Sequence, residues 1–202
     1  MRKIFLIRHG APQLNGRICL GRKLNPSLSP LGREQVKKLK AYFKDLNFEK
    51  IYTSPLKRCV ETAEILLEKN SELVVCHELH EIDMGVFEGF TFNEIREKFP
   101  EEYRRRGENI WDYAPFGGES FSDCIQRVKK AFLEICKNDK NDLLIVAHGG
   151  VNRGLIYDIA KGHEKNPTYG GILEIPQPYA SLNCIEEENG EFFLSLVGKE
   201  II

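Results

Sequence analysis

Two short apolar runs, each followed by a histidine and a glycine, dominate the hydrophobic pattern of the chain. Residues 3–7 read KIFLI and precede Arg8 and His9, and residues 143–147 read LLIVA and precede His148. Apolar runs of this length that end in a turn signal predict strands buried on both faces. The sequence therefore predicts two interior strands, each with a histidine just beyond its carboxyl end.

Segments with helical spacing of their apolar residues separate and follow these two strands. The predicted helices cover residues 29–43, 54–67, 120–137 and 151–160, and a Ser-Pro pair opens each of the first two. Serine caps a helix N-terminus and proline is favoured in its first turn. Two further short runs, residues 51–53 and 73–76, predict strands. This alternation predicts an α/β fold, a three-layer α/β/α sandwich around a mostly parallel mixed sheet.

The C-terminal part changes to a different pattern. Apolar segments lie at residues 172–175, 181–185 and 192–197, with Asn189 and Gly190 between the last two. Asn-Gly is a strong hairpin signal because both residues tolerate the positive φ that a tight turn requires. We therefore expect antiparallel strands here that finish one edge of the sheet.

The chain has no internal repeat and no low-complexity linker, so we expect residues 1–202 to form a single domain. Residues 87–118 differ from the rest, because aromatic side chains lie among charges and glycines without a regular period. Such a segment suits an insertion or lid that covers a cleft. An ordinary helix pair packed on the sheet explains the pattern equally well.

Composition limits the partners of this chain. Lys and Arg number 29 against 30 Asp and Glu, a net charge of −1, so the basic footprint of a protein that binds nucleic acid or an anionic membrane is missing. Only four apolar residues precede Arg8, too few for a signal-peptide core, and no apolar run reaches membrane-spanning length. We expect a cytoplasmic protein without nucleic-acid or membrane partners, for which a homodimer is possible.

The six cysteines are spread along the chain without a C-x-x-C pair. This spacing fits neither a zinc site nor a compact disulfide framework, so we expect buried thiols in a reducing compartment. Residues 77–81 read HELHE, but they follow an extended segment in which residues three apart point to opposite faces, and they lack the H-E-x-x-H order of zinc proteases. We expect neither a metal nor a cofactor.

Histidine and arginine side chains are predicted to meet at the carboxyl edge of the sheet, where open α/β sheets bind their ligands. His9 and His148 follow the two interior strands. Arg8 is next to His9, and Arg58 lies in the first turns of the second predicted helix. Arginine suits bidentate binding of phosphate oxygens, Gly149 lets a helix N-terminus approach an anion, and neutral imidazole is a competent nucleophile. The pattern predicts a phosphoryl site with a histidine nucleophile.

Several short motifs cover most of the chain: LIRHG at 6–10, LSPLG at 28–32, SPLKR at 54–58, ELHEIDMG at 78–85, GGES at 117–120 and HGG at 148–150. In order and spacing they resemble the histidine phosphatase (phosphoglycerate mutase-like) superfamily. The resemblance implies a phosphoglycerate mutase-like fold. It also implies a metal-independent phosphomonoesterase that acts on a small phosphorylated metabolite through a phosphohistidine intermediate.

The resemblance also implies roles for individual residues. His9 takes up the phosphoryl group, and Glu81 protonates the leaving alcohol. The phosphate-binding residues are Arg8, Asn15, Arg58, His148 and Gly149. A carboxyl group beside a bound phosphate dianion is driven toward its protonated form by like-charge repulsion, which suits Glu81 to act as a general acid.

The substrate side is less well marked. We place Gly21, Arg104 and Arg105 there. The arginines follow an acidic helix start, so they form either the exposed end of a charged helix or a clamp for an anionic part of the substrate.

Alternatives within and outside the superfamily stay open. Residues 82–85 read IDMG where glycolytic mutases have Arg-His-Tyr-Gly after the acid, so hydrolysis is favoured over return of the phosphoryl group. Mutase activity remains an alternative because the arginines around 104–106 could bind a carboxylate, and the size and motif layout are also similar to α-ribazole phosphate phosphatases. An inactive phospho-ligand binding module is the alternative of another class. Retention of His9, Arg58, Glu81 and His148 counts against it.

Overall fold

The structure of the protein, a computed structural model, describes residues 1–201. Its strands are β1 (Arg2–Arg8), β2 (Lys50–Thr53), β3 (Glu72–Val75), β4 (Leu143–Ala147), β5 (Leu182–Glu188) and β6 (Glu191–Lys199). Its α-helices are α1 (Pro30–Tyr42), α2 (Lys57–Leu66), α3 (Phe92–Lys98), α4 (Pro100–Glu108), α5 (Phe121–Asn138) and α6 (Gly149–Gly162). Short 3₁₀ turns lie at His77–Leu79, Gly85–Phe87 and Ile172–Glu174.

The strands form one mixed sheet in the order β3-β2-β4-β1-β5-β6. The first four are parallel, β5 is antiparallel to β1, and β6 is antiparallel to β5. The register of β1 and β4 sets Arg8 opposite Ala147. His9 and His148 therefore leave the sheet side by side at its carboxyl edge, and the predicted mostly parallel mixed sheet is confirmed.

Helices cover both faces of this sheet. Ile4 and Leu6 of β1 belong to one apolar core, with side chains of α5 and α6, whereas Phe5 and Ile7 belong to a second core with side chains of α1 and α2. Successive side chains of a strand point to opposite faces, so a strand between two helical layers needs apolar residues at every position. This is why the interior strands are continuous apolar runs, and the predicted α/β/α sandwich is confirmed.

Helices α1 and α5 begin directly after a serine that caps them, whereas α2 does not begin at its predicted cap. Ser29 accepts a hydrogen bond from Gly32 N at 3.0 Å and caps α1 as predicted, and Ser120 caps α5 in the same way. Helix α2, however, begins at Lys57, two residues later than the Ser-Pro pair predicted. Ser54 instead extends β2, and its hydroxyl lies 2.7 Å from Nε2 of His148, so it does not cap the helix.

The C-terminal hairpin is confirmed. Asn189 and Gly190 have φ values of 54° and 85°, the left-handed conformation that the tight turn between β5 and β6 requires.

The strand expected at residues 172–175 is wrong. Ile172 and Ile175 are buried, while Leu173 between them is 59% exposed, which is the spacing of a helical turn and not of a strand. The carboxylate of Glu174 accepts a hydrogen bond from Gly170 N at 2.8 Å and closes this 3₁₀ turn.

Residues 87–118 hold the helix pair α3 and α4. Helix α3 buries Ile95, and α4 buries no residue. Side chains of this segment pack against the α5–α6 core, among them Phe90, Phe99, Trp111 and Tyr113. The segment is also tied to the chain near Cys19, since Cys19 N donates to Phe90 O at 2.7 Å and Gly89 N donates to Cys19 O at 2.9 Å.

All six cysteines are free thiols, and five of them are buried, with Cys76 partly exposed. No helix within residues 1–201 combines the length and apolar character needed to cross a bilayer.

Candidate active site

The ends of β1 and β4 bring two imidazole rings together. His9 and His148 are 2% and 0% exposed, and their ring centroids lie 5.2 Å apart in an edge-to-face arrangement. His9 N donates to Ala147 O at 3.1 Å, so the pairing of β1 with β4 continues to the site itself. The two histidines predicted to meet are therefore neighbours in the structure.

The hydrogen bonds of His9 define which ring nitrogen is available. Its Nδ1 lies 2.8 Å from Gly10 O, and because a carbonyl oxygen can only accept, Nδ1 carries the proton. Nε2 then carries the lone pair, and Nε of Arg58 donates to it at 3.2 Å. Burial, assisted by the charges of Arg58 and Arg8, holds the pKa of His9 well below its ordinary value. The ring is neutral near neutral pH, with a nucleophilic nitrogen beside a guanidinium.

Arg58 is fully buried near the start of α2. It donates to Gly21 O at 2.8 Å and to Leu24 O at 3.2 Å, and burial lowers its pKa. A Cβ on Gly21 would lie 2.6 Å from Oε2 of Glu88 and 3.0 Å from Met84 N, so a larger residue here would displace the Glu88 carboxylate. Glu88 also accepts a bond from Leu24 N at 2.6 Å. Gly21 thus lies at the site, where its carbonyl orients Arg58.

Arg8 lies on the other side of His9. Its Nη1 donates to the main-chain oxygen of Gln177, and its guanidinium carbon is 4.0 Å from the ring centroid of Tyr179. A Cβ on Gly149 would lie 3.2 Å from Nε of Arg8, so this glycine lets the guanidinium lie against the N-terminus of α6. Burial lowers the pKa of Arg8.

The carboxylate of Glu81 lies at the same helix N-terminus. It accepts hydrogen bonds from Gly150 N at 3.1 Å and Val151 N at 3.2 Å. A Cβ on Gly150 would lie 2.6 Å from Oε1 of Glu81, so the glycine at this position lets the carboxylate lie against the first turn of α6. Burial lowers the pKa of Arg153, which lies one turn further along α6. The charge of the nearby Glu81 acts in the opposite direction and raises this pKa.

His148 is held by two small side chains. Its Nε2 lies 2.7 Å from Oγ of Ser54 and 3.3 Å from Sγ of Cys59. Burial, with the charge of Arg58, lowers the pKa of His148 well below its ordinary value, so this ring is also neutral. Burial also raises the pKa of Cys59 to about 12, so that side chain stays a thiol that packs against the ring.

Asn15 is not brought into this group of side chains. It lies exposed in the loop after β1, and within residues 1–201 it makes no hydrogen bond to either histidine or to the arginines of the site.

The predicted substrate-side arginines face solvent. Arg104 pairs with Glu101 and Glu108 along the exposed face of α4, and Arg105 lies 5.3 Å from the ring of Tyr113. The next residue, Arg106, turns inward toward Cys19, and burial lowers its pKa. Within the described part of the chain, neither Arg105 nor Arg106 forms an ion pair or a side-chain hydrogen bond, and Arg106 is the less exposed of the two.

Three residues of the site were not singled out from the sequence: Gln177, Tyr179 and Arg153. Arg106 was named only as part of the arginine triplet. Arg153 follows the second histidine by five residues on α6, a spacing that could have indicated it. The helical period of α4 could have separated Arg106 from its two neighbours. Gln177 and Tyr179 come from an irregular loop far along the chain, and no local pattern marks them.

These side chains form one chemical arrangement. A nucleophilic imidazole nitrogen lies among guanidinium donors, and a carboxyl group lies at the nearby helix N-terminus. This combination of a nucleophile, cationic donors and a carboxyl group suits the transfer of an anionic group. Within residues 1–201, no three His, Cys, Asp or Glu side chains are placed to hold a metal ion.

Comparison with known proteins points in the same direction. A family model described as the histidine phosphatase superfamily (branch 1) matches residues 4–200. The human protein named 6-phosphofructo-2-kinase/fructose-2,6-bisphosphatase 4 is 36% identical over 169 residues, which cover 82% of this chain and 34% of that protein. The chain therefore spans about a third of the length of this curated relative.

Solved structures match over the whole length. YhfR of Bacillus stearothermophilus is 28% identical with a TM-score of 0.86, and the match covers 98% of each chain. The α-ribazole phosphatase of Shigella flexneri is 23% identical with a TM-score of 0.86, and the match covers 99% of this chain and 98% of that one. The second likeness is one of fold.

Proposed function

The chain belongs to the histidine phosphatase superfamily, branch 1, and on that basis we propose that it hydrolyses the phosphomonoester of a small metabolite through a phosphohistidine intermediate. The motif resemblance and the phosphoglycerate mutase-like fold that it implied are confirmed. The observation that carries the proposal is the set of contacts of His9. Gly10 O fixes its Nδ1 proton, and Arg58 lies at its Nε2.

In the first step, Nε2 of His9 attacks phosphorus while the bond to the ester oxygen breaks. Charge on the transferring group is stabilised by Arg8, Arg58 and His148, and the Nε hydrogen of Arg58 turns from Nε2 of His9 to a phosphoryl oxygen as the attack begins. Asn15 is retained in the proposal as a further phosphoryl ligand, and the exposed loop that carries it would bring it in when substrate binds.

The proton balance of the reaction assigns a role to Glu81. In this proposal Glu81 is the general acid, and the leaving alkoxide takes the proton of its carboxyl group. Water then attacks the phosphohistidine, gives a proton back to Glu81, and releases inorganic phosphate and neutral His9. The net reaction consumes one phosphomonoester and one water and yields one alcohol and one phosphate.

The substrate class follows from the surroundings of the site. The names of the relatives describe phosphatases of small phosphorylated metabolites, and we extend that class to this chain. The arginines of α4 favour a substrate with a second anionic or polar group. Arg104 and Arg105 are the predicted contacts, and Arg106, which is less exposed than either, is a third. Residues 87–118 serve as a lid in this proposal, because they are bonded to the loop that orients Arg58.

Several finer points belong to the same proposal. The protein works in the cytoplasm as a single domain, with or without a homodimer. It needs no metal. α-Ribazole phosphate hydrolysis and mutase activity remain alternative specificities of the same site.

The test is hydrolysis by the purified protein in the presence of EDTA. Sugar phosphates, phosphoglycerates, nucleotides and α-ribazole phosphate are ranked by kcat/KM, with wild type compared with His9→Ala. The control is His163→Ala, a histidine just after the C-terminal end of α6 and 3.9 Å from Glu191. We expect His9→Ala to lose on the order of 10³-fold or more, as other nucleophile deletions do. When the wild-type protein is mixed with substrate that carries a labelled phosphate, rapid acid quenching followed by alkaline work-up should leave labelled phosphate on the ring of His9.

Equal rates for wild type and His9→Ala would refute the proposal that the protein is a phosphatase with His9 as its nucleophile. Phosphate binding without any turnover would favour the inactive binding module. Activity abolished by EDTA would point to a metal-dependent hydrolase.

A further inference from the structure

The loop just before β5 is fastened to the end of β1. Arg8 donates through Nη1 to Gln177 O and through its main-chain N to Ser181 O, the latter at 3.1 Å, and Ala180 N donates to His9 O at 3.0 Å. Ala180 has a φ of 55°, a left-handed conformation that is unfavourable for an L-residue. Such strain persists where the surroundings fix the chain, and here the bonds on both sides of Ala180 do so.

Hydrogen bonds between buried side-chain amides also fix the loop that precedes β5. The side chain of Gln177 donates to Asn183 at 2.7 Å and accepts from Asn152 at 3.1 Å. All three side chains are buried, and they come from three different elements. The loop is therefore a rigid support for the residue it presents next, Tyr179.

The ring of Tyr179 lies close to Arg8, the last residue of β1, and to His9, the residue that follows it. Its ring centroid is 4.0 Å from the guanidinium carbon of Arg8 and 5.6 Å from the ring centroid of His9. Nη1 of Arg8 is bonded to Gln177 O, and one face of the guanidinium lies against the ring of Tyr179. The guanidinium edge formed by Nε and Nη2 is therefore available to bind a ligand. The Nε and Nη2 hydrogens on this edge have no partner among residues 1–201.

We propose that Tyr179 is a positioning residue that holds the guanidinium of Arg8 by a cation–π contact, so that its Nε and Nη2 edge faces the phosphoryl group. Nε and Nη2 are the pair of arginine donors that can bind two oxygens of one phosphate side by side. The inference rests on the proposed function, since it assigns a purpose to the orientation of Arg8. The aromatic ring carries this role, and the phenolic hydroxyl is not required.

Three single variants test the role of the ring: Tyr179→Phe, Tyr179→Leu and, as a control, Tyr42→Leu. Tyr42 also lies under a cation, with Nζ of Lys199 at 5.3 Å, but it is at the C-terminal end of α1, whereas Gly32 at the other end of this helix packs against Gly10, next to His9. A cation–π contact of about 0.5–2 kcal/mol corresponds to roughly a 2–30-fold change in affinity. We expect Tyr179→Leu to weaken inhibition by inorganic phosphate and to lower kcat/KM by that factor. Tyr179→Phe should stay within threefold of wild type.

A double-mutant cycle separates an action through Arg8 from a general structural effect. In the Arg8→Ala background, Tyr179→Leu should weaken phosphate inhibition no further, because the group that the ring orients is gone. If the two losses add, or if Tyr179→Phe loses as much as Tyr179→Leu, the inference is overturned. Unchanged phosphate affinity in Tyr179→Leu overturns it as well.

Folding is checked through the melting temperature of each variant. Should Tyr179→Leu unfold, Tyr179→Trp replaces it, since tryptophan gives the strongest cation–π contact and should bind phosphate at least as tightly as wild type. A tenfold loss in that folded variant would reject the role. A wild type that neither turns over substrate nor binds phosphate would refute the proposed function itself, which distinguishes the two failures.

Discussion

Replacing Arg58 by alanine removes a side chain that contacts the nucleophile and the loop over the site at the same time. Its Nε donates to His9, and its two other nitrogens hold Gly21 O and Leu24 O. Loss of one preorganised donor to a transferring group costs about 10²–10³ in rate. The freed loop carbonyls lose charge-assisted bonds worth about 1.5–3 kcal/mol each, partly recovered from water. We expect kcat/KM to fall by about 10³-fold or more.

The same substitution has a second effect, on the pH dependence. Burial is the largest cause of the low pKa of His9, and the charge of Arg58 is the next. Alanine removes that charge and admits water, and both changes raise the pKa of His9. A base with a raised pKa becomes protonated at higher pH, so the acid limb of kcat/KM should move upward in pH.

The assay is a pH–rate profile for wild type, Arg58→Ala, Arg58→Lys and Arg33→Ala. Lysine restores the charge, but its single ammonium cannot reach His9 and both carbonyls together, so we expect it to recover the pH profile better than the rate. Arg33 pairs with Glu61 on the surface and serves as the matched control, with unchanged kinetics. A loss below tenfold in Arg58→Ala, or an acid limb that moves to lower pH, would refute this account of the site.

Three further predictions follow from particular contacts. An NMR titration of the wild-type protein should show the His9 ring neutral down to pH values well below 6.5, the ordinary value for histidine, and a midpoint at or above 6.5 would contradict the burial argument. Glu81→Gln should lower kcat on alkyl phosphates by about 10²–10⁴-fold but affect 4-nitrophenyl phosphate far less, because its leaving group needs no proton; equal losses would exclude an acid role. In Gly154→Ala, the new Cβ would lie 2.0 Å from Cδ1 of Ile125, so urea unfolding should show a loss of about 1–3 kcal/mol. Adding Ile125→Ala should cost less than the sum of the two single changes, and strict additivity would contradict the clash.

The parts of the fold that could be predicted are those in which one local pattern decides the outcome. Residues 4–7 and 143–147 are apolar at every position because helices pack on both sides of β1 and β4. The register of these two strands then places the two histidines together. The main residues of the site could therefore be found from the sequence.

The errors arose where a specific side-chain contact overrides the preference that the local sequence pattern indicates. The hydroxyl of Ser54 has the type and position of a helix cap, but it contacts His148, a residue 94 positions away, and α2 starts later. Residues 172–175 have the composition of a strand, but Glu174 folds back on Gly170 and makes a turn. The arginine triplet shows the same limit, because only the orientation of α4 against Cys19 distinguishes Arg106 from its neighbours.

The same reasoning explains how this site keeps its positive charge available. Arg8, Arg58 and Arg153 form no ion pair within residues 1–201, and each is oriented by main-chain carbonyls: Gln177 O, Gly21 O with Leu24 O, and Ile175 O. Exposed arginines of this chain such as Arg33 and Arg104 pair with carboxylates instead. A carbonyl fixes the direction of a guanidinium without neutralising it, whereas a carboxylate would compete with the phosphoryl group for the same donors. Burial of uncompensated charge costs stability, and a phosphoryl group supplies the missing negative charge, so binding energy is directed to the group that reacts.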